Sequence, residues 1–236
     1  MLNIFPGSVM KKSQCKAASI IWKNNSIPIS EDFNDTYFSI DDGMAEAKYV
    51  FIEGNNLINR LANGFEIAEL GFGVGLNLLS LIKFWNDLNR EGKISFTSFE
   101  AYPAKYQDVE KALKYFPILK ELTSQLIPAL EANLTNFEIE NVRIKLIYGD
   151  VRDTISFWYD NADAWFLDGF SPIKNPEMWE ESLLMAVQEK TKAGGTFATY
   201  TSAGAVRRSL TKVGFEVSKI SGFGKKRHML SGKKID

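Results

Sequence analysis

The chain has 236 residues, 45% of them apolar and 24% charged, with a net charge of −1; this is the balance of an ordinary globular protein, long enough for one large domain or a domain with a small accessory lobe. A lone cysteine, Cys15, excludes an internal disulfide and a cysteine-based metal cluster and points to a reducing, cytoplasmic setting, with no metal expected. No apolar run reaches the ~18 residues of a membrane span and no signal-peptide pattern opens the chain, while near-neutral charge argues against a coat of nucleic acid but leaves room for local basic patches.

Met1 and Met10 both offer a start, and nothing is built on the residues between them. Residues 1–60 read as an N-terminal extension packed on a core that begins at 61. Within it, Ser26 to Ile29 and Tyr49 to Ile52 read as short strands. Between them, SEDFNDTYFSIDDG reads either as a surface loop with aromatic anchors or as a flap over a ligand, with Tyr37 or Phe38 against a ring.

The stretch FEIAELGFGVGLN, Phe65 to Asn77, organises the rest. It predicts a buried strand, a turn with Gly71, Gly73 and Gly75 at alternate positions, and an amphipathic helix whose first turn carries Asn77. Glycine permits φ > 0 and close backbone approach, and the first helical N–H groups are free to donate, so strand, turn and helix form a nucleotide pocket. A dinucleotide fingerprint needs glycine at 76, where Leu76 stands; the remaining G-x-G-x-G suits S-adenosylmethionine better than NAD. A tight turn without a ligand is the plainer alternative.

Glu100 closes the next strand, ISFTSFE, where a carboxylate accepts both hydroxyls of a ribose. From Ala104 to Glu140 apolar residues recur at spacings of three and four, which predicts a helical insertion divided by Pro117 and Pro128. VRIKLIYGD alternates as a strand and places Asp150 at its tip, within reach of an adenine amino group. ADAWFLD, Ala162 to Asp168, is a nearly unbroken apolar run and reads as a strand buried on both faces, with Asp168 exposed at its carboxyl end, the ligand-binding edge of open α/β sheets. Asn175-Pro176 opens a helix that Ala193-Gly194-Gly195 ends. A strand from Thr196 to Tyr200, a helix from Ala203 to Val213 with Arg207 and Arg208, and two last strands make about seven in a mostly parallel sheet. Trp165 and Trp179 read as core, and His228 as a surface residue.

This order resembles a class I S-adenosylmethionine-dependent methyltransferase, a Rossmann-like α/β fold. More closely, the chain resembles the methyltransferase half of the MnmC family, which completes 5-methylaminomethyl-2-thiouridine at the tRNA wobble position. The resemblance rests on DTYFSIDDGMAEAKYVFIEGN, ELGFGVGLN, SFE-x-x-P, DAWFLDGFSPIKNPEMW, GGTFATYTSAGAVRRSL and GFGKKRHML. It departs at Ala101, where lysine is expected, and in ending at Asp236 without a flavin-dependent oxidase half.

The resemblance implies methyl transfer from S-adenosyl-L-methionine to the amine of 5-aminomethyl-(2-thio)uridine in the anticodon loop, with another enzyme supplying the aminomethyl group. It implies Asp168 as the carboxylate that orients the amine and takes up a proton, or as a ligand of the cofactor's amine. Cofactor contacts are expected from Tyr37, Gly71, Gly73, Gly75, Asn77, Glu100, Asp150 and Asp168. Phe170, Pro172 and Lys174 are candidates for the flipped base, and Arg207, Arg208, Lys225, Lys226 and Arg227 for tRNA phosphates or simply a solvated basic face. A methyltransferase of small amines and a catalytically silent tRNA-binding module are the alternatives; a nicotinamide oxidoreductase is disfavoured by Leu76.

Overall fold

The computed structural model describes residues 12–39 and 42–235, so Met1 and Met10 lie outside the described residues. In chain order the strands are β1 (Ile20–Lys23), β2 (Ile27–Ser30), β3 (Asp35–Thr36), β4 (Glu66–Leu70), β5 (Ile94–Glu100), β6 (Asn136–Ile139), β7 (Val142–Tyr148), β8 (Ala162–Leu167), β9 (Thr191–Thr199), β10 (Phe215–Ser221) and β11 (His228–Lys234). The helices are α1 (Gly43–Ala47), α2 (Leu57–Arg60), α3 (Leu76–Asp87), α4 (Tyr106–Leu113), α5 (Lys120–Glu131), α6 (Val151–Thr154), α7 (Glu181–Glu189) and α8 (Gly204–Lys212).

An eight-stranded sheet runs in the order β10-β11-β9-β8-β4-β5-β7-β6. Its centre, from β9 to β7, is parallel, and β6, β10 and β11 join antiparallel. This is a mostly parallel α/β sheet, as expected, with eight strands rather than about seven. Beside it, β1, β2 and β3 form a small antiparallel sheet.

The two-residue period of a strand decides which side chain meets which helix layer. On β4, Ile67 faces a core shared with Phe96, Phe166 and the α3 side chains Leu78, Leu79, Ile82 and Trp85. Its neighbour Ala68 faces the opposite core, with Trp165, Leu167, Leu183 and Leu184 of α7, and Val206 and Leu210 of α8. Sandwiched strands therefore need apolar residues at successive positions, which is why β8 reads ADAWFL. Each large side chain fully buried this way contributes roughly 1.5–3 kcal/mol. Trp165 is fully buried and Trp179 nearly so. Helix α3 stops where Asn89 takes φ +49°, a left-handed conformation that asparagine tolerates.

Four expectations are corrected. Tyr49 to Ile52 are not a strand but part of a wide, π-type helical turn, Lys48–Glu53, with Val50, Phe51 and Ile52 buried; a short apolar run fits either state. The segment from 104 to 140 is helical only to Glu131, and β6 follows, paired with β7 through a tight hairpin in which Glu140 has φ +52°. Pro117 does divide α4 from α5, but Pro128 lies inside α5, at the loss of one backbone hydrogen bond. Finally, residues 193–195 do not end a helix; they belong to a bulge of β9, where Ala162 pairs with Thr191 but Ala164 with Thr196.

Candidate active site

The sheet's winding reverses between β4 and β8, and the strand ends there open a crevice, the place where open α/β sheets take ligands. A cavity of about 830 Å³ occupies it. Tyr37, Gly73, Asn77, Glu100, Asp150 and Asp168 all contribute to its wall.

Glycine is required at two positions for reasons visible in the packing. Gly71 has φ +87°, and a Cβ there would stand 2.8 Å from the backbone oxygen of Asp168; its absence lets the tips of β4 and β8 meet. Gly73 has φ +55°, and a Cβ would press on the Tyr37 ring at 3.2 Å. Its N–H donates to Oε2 of Glu100 at 2.8 Å.

Glu100 is buried, and its other oxygen, Oε1, accepts from the Tyr102 N–H at 2.7 Å. Burial pushes its carboxyl up from the usual range, while these backbone donors pull it down. Asp150 caps α6 and is engaged by Arg152, whose Nη2 donates to Oδ2 at 2.6 Å and whose hydrogen bonds hold the carboxyl below its ordinary value.

At the junction of β4 and β8, one amide binds two carboxyls. Asn77 Nδ2 donates to Oδ2 of Asp168 at 2.8 Å and to Oε1 of Glu69 at 2.9 Å. Ser98 Oγ donates to Oε2 of Glu69 at 2.6 Å. Burial pushes Glu69 up to about 8 and Asp168 to about 7, with the Asn77 hydrogen bond opposing both shifts. Asp168 is therefore an acid poised near neutrality on the cavity wall.

The loop after β8 is fastened from several directions. Tyr200 OH donates to the Gly169 oxygen at 2.7 Å, Trp179 Nε1 to the Phe170 oxygen at 3.0 Å, and the Ser171 N–H to Oδ2 of Asp35 at 3.1 Å. Phe33 stacks on Phe170 at 4.7 Å between ring centroids, and Tyr37 meets it edge-on at 5.4 Å. The aromatic segment before α1 thus lies over the cavity, and one face of Phe170 is already covered.

The expected site residues separate into two groups. Tyr37, Gly71, Gly73, Asn77, Glu100, Asp150, Asp168, Phe170, Lys225 and Lys226 line the cavity, as does Ala101. Gly75 sits behind it as the left-handed cap of α3. Pro172, Lys174, Arg207, Arg208 and Arg227 are outside the wall; Lys174 pairs instead with Asp35 at 3.2 Å, and His228 is exposed. Sequence reasoning missed Phe33, Asp35, Glu46, Glu69 and Tyr200. Asp35, Glu46, Glu69 and Tyr200 stood in stretches quoted for their resemblance, Glu69 two residues before Gly71, but nothing in the pattern gave them roles.

Residues 114–235 match the sequence profile of a family described as S-adenosyl-L-methionine-dependent methyltransferase. The chain is 42% identical over 224 residues to the tRNA 5-methylaminomethyl-2-thiouridine biosynthesis bifunctional protein MnmC of Leptospira borgpetersenii, covering 90% of this chain and 34% of that protein. It is 43% identical over 230 residues to the protein of the same name from Marinobacter nauticus, covering 92% and 36%. The chain thus spans about a third of the length of the curated relatives it matches. Among solved structures it is similar to MNMC2 from Aquifex aeolicus, with a TM-score of 0.74 and 28% identity over 92% of this chain and 70% of that one. Among the described residues no helix is long and apolar enough to cross a membrane.

Proposed function

The chain belongs to the S-adenosyl-L-methionine-dependent methyltransferases, and from that premise we propose that it methylates the primary amine of 5-aminomethyl-(2-thio)uridine at the wobble position of tRNA, yielding the 5-methylaminomethyl nucleoside. The observation that carries the proposal is the Asp168 carboxyl, held by Asn77 on the wall of the strand-end cavity and raised to about 7. The names of its curated relatives, which specify tRNA 5-methylaminomethyl-2-thiouridine biosynthesis, point to the acceptor. The aminomethyl group is already on the uridine when this reaction begins.

The cavity fits the cofactor. Its volume lies within the ~300–1,000 Å³ common for small-molecule sites. Glu100, held by backbone N–H groups, would accept the ribose hydroxyls; Asp150 would meet the adenine, and the glycine turn, Asn77 and Asp168 the methionine moiety. When bound, S-adenosyl-L-methionine supplies an electrophilic methyl group.

What remains for the protein is to present a neutral amine and to remove a proton. A free alkylamine near pKa ~10.4 costs roughly 4–5 kcal/mol to deprotonate at pH 7. Removing water from the cavity that Phe33, Tyr37 and Phe170 line disfavours the ammonium and reduces that cost. Asp168 orients the nitrogen and, as methylation makes it a secondary ammonium, takes a proton from it. Asn77 keeps the receiving carboxyl in place, so most of the remaining rate enhancement comes from alignment.

For the tRNA, Arg207 and Arg208 on α8, with Lys225 and Arg227 in the β10–β11 turn, are the candidates for phosphate contacts. All four are exposed, and none forms an ion pair among the described residues. The test is nucleoside mass analysis after incubation with S-adenosyl-L-methionine and tRNA bearing 5-aminomethyluridine, in competition with free small amines. A gain of one methyl on that nucleoside is expected; cofactor binding with methyl gain only on the small amines overturns the tRNA acceptor.

A further inference from the structure

Lys226 places a primary alkylammonium against the same cavity that holds Asp168. Its Nζ stands 2.7 Å from Oε1 of Glu46 and 4.2 Å from the centroid of the Tyr200 ring. Glu46, on α1, keeps only 15% of its side chain exposed. The Tyr200 ring is fixed by its hydroxyl bond to the Gly169 oxygen. Glu46, Tyr200 and Lys226 all line the cavity, and the charges of Glu46 and Lys226 both act on the Asp168 carboxyl.

A carboxylate beside the face of a phenol ring is a recognition site for an ammonium group. An exposed ion pair alone would add little to stability, and nothing in a stability role calls for it to open into the cavity. The acceptor of the proposed reaction carries the same functional group as Lys226, on a shorter stem. We propose that Glu46 and the face of Tyr200 form the seat that selects the acceptor's ammonium, and that Lys226 occupies it as an internal placeholder which the acceptor displaces.

This rests on the amine-acceptor reading given above. Glu46 then binds the ammonium on arrival; the amine gives up its first proton to solvent as it leaves the seat, and Asp168 takes the second one, released on methylation. Lys226 sits in the turn 222–227 on a flexible stem, its side chain 46% exposed. Once displaced it joins Lys225 and Arg227 on the outer, phosphate-facing side. Binding of the acceptor therefore trades one ammonium for another in the seat and adds a cation to the tRNA surface.

The test uses the free nucleosides 5-aminomethyluridine and 5-hydroxymethyluridine, which differ by a charged amine against a neutral hydroxyl and carry no phosphate. Their dissociation constants are measured for the wild-type chain, Glu46→Gln and Lys226→Met, with S-adenosyl-L-methionine binding as the check of folding. The wild type is expected to prefer the amine at least tenfold, Glu46→Gln to lose most of that preference, and Lys226→Met to bind the amine several-fold more tightly. Unchanged preference in Glu46→Gln, or unchanged or weaker amine binding in Lys226→Met, overturns the seat while leaving the amine-acceptor reading intact. A wild-type chain with no preference overturns that reading and the seat with it.

Discussion

A single amide, Asn77, holds two carboxyls that water would otherwise solvate, and the consequences are legible as a pH dependence. Glu69 is 1% exposed and titrates near 8 in the folded chain, well above an unfolded glutamate at ~4.3. A raised folded pKa means the folded state holds a proton the unfolded state has lost, so stability is full below about pH 4 and declines as pH rises toward 8. Glu69→Gln, which keeps an acceptor for Asn77 and removes the charge, is expected to melt progressively higher than wild type between pH 5 and 8.5. The gain at the upper end is about 1–3 kcal/mol, or ~2–4 °C per kcal/mol; a pH-independent difference contradicts it. Asp168 was legible in the sequence because an acid closing an apolar strand has few structural reasons to be there. Glu69 was not, since an acid inside the buried strand EIAEL carries no local signal of its partner; helix α3 covers the face that Glu69 shares with Ile67 and brings Asn77 to meet it.

At the level of elements, the aromatic residues of SEDFNDTYFSIDDG bear on the cavity, and the sequence left the role of that stretch open between surface loop and flap. The structure places Phe33 and Tyr37 on Phe170 and ties Asp35 to the Ser171 N–H. Aromatic spacing alone does not say what the rings will touch; their partners lie more than a hundred positions away. Phe33→Ala removes a stacked pair worth about 0.5–1.5 kcal/mol. Single-turnover methyl transfer to the tRNA is expected to slow roughly two- to tenfold at limiting substrate, with the far-UV spectrum unchanged; wild-type rates in this variant contradict a covering role. The central strands and α3 were legible because both periodicity and boundary residues marked them. The bulge in β9 and the Glu140 hairpin were not, because pairing with a distant strand overrode the local signals.

Across the whole molecule, a net charge of −1 rules out nonspecific electrostatic attraction as the main grip on tRNA, so binding depends on where the cations stand. Arg207 and Arg208 share α8, outside the cavity wall. If both neutralise phosphates, Arg207→Ala with Arg208→Ala reduces the slope of log affinity against log salt by about 1.4, at ~0.7 per contact on single-stranded RNA. An unchanged slope places the phosphate path elsewhere. The strand order and the crevice at the β4–β8 reversal position everything else, and the most direct measurement reports whether Asp168 performs the chemistry there. It is the pH dependence of single-turnover methyl transfer to 5-aminomethyluridine tRNA, wild type beside Asp168→Asn. Since the carboxylate form takes the proton, the wild-type rate is expected to fall as pH drops below about 7. In Asp168→Asn that inflection vanishes and the rate at pH 8 is lower by about 10²–10⁴-fold. An identical profile with an undiminished rate in the variant would contradict the assignment.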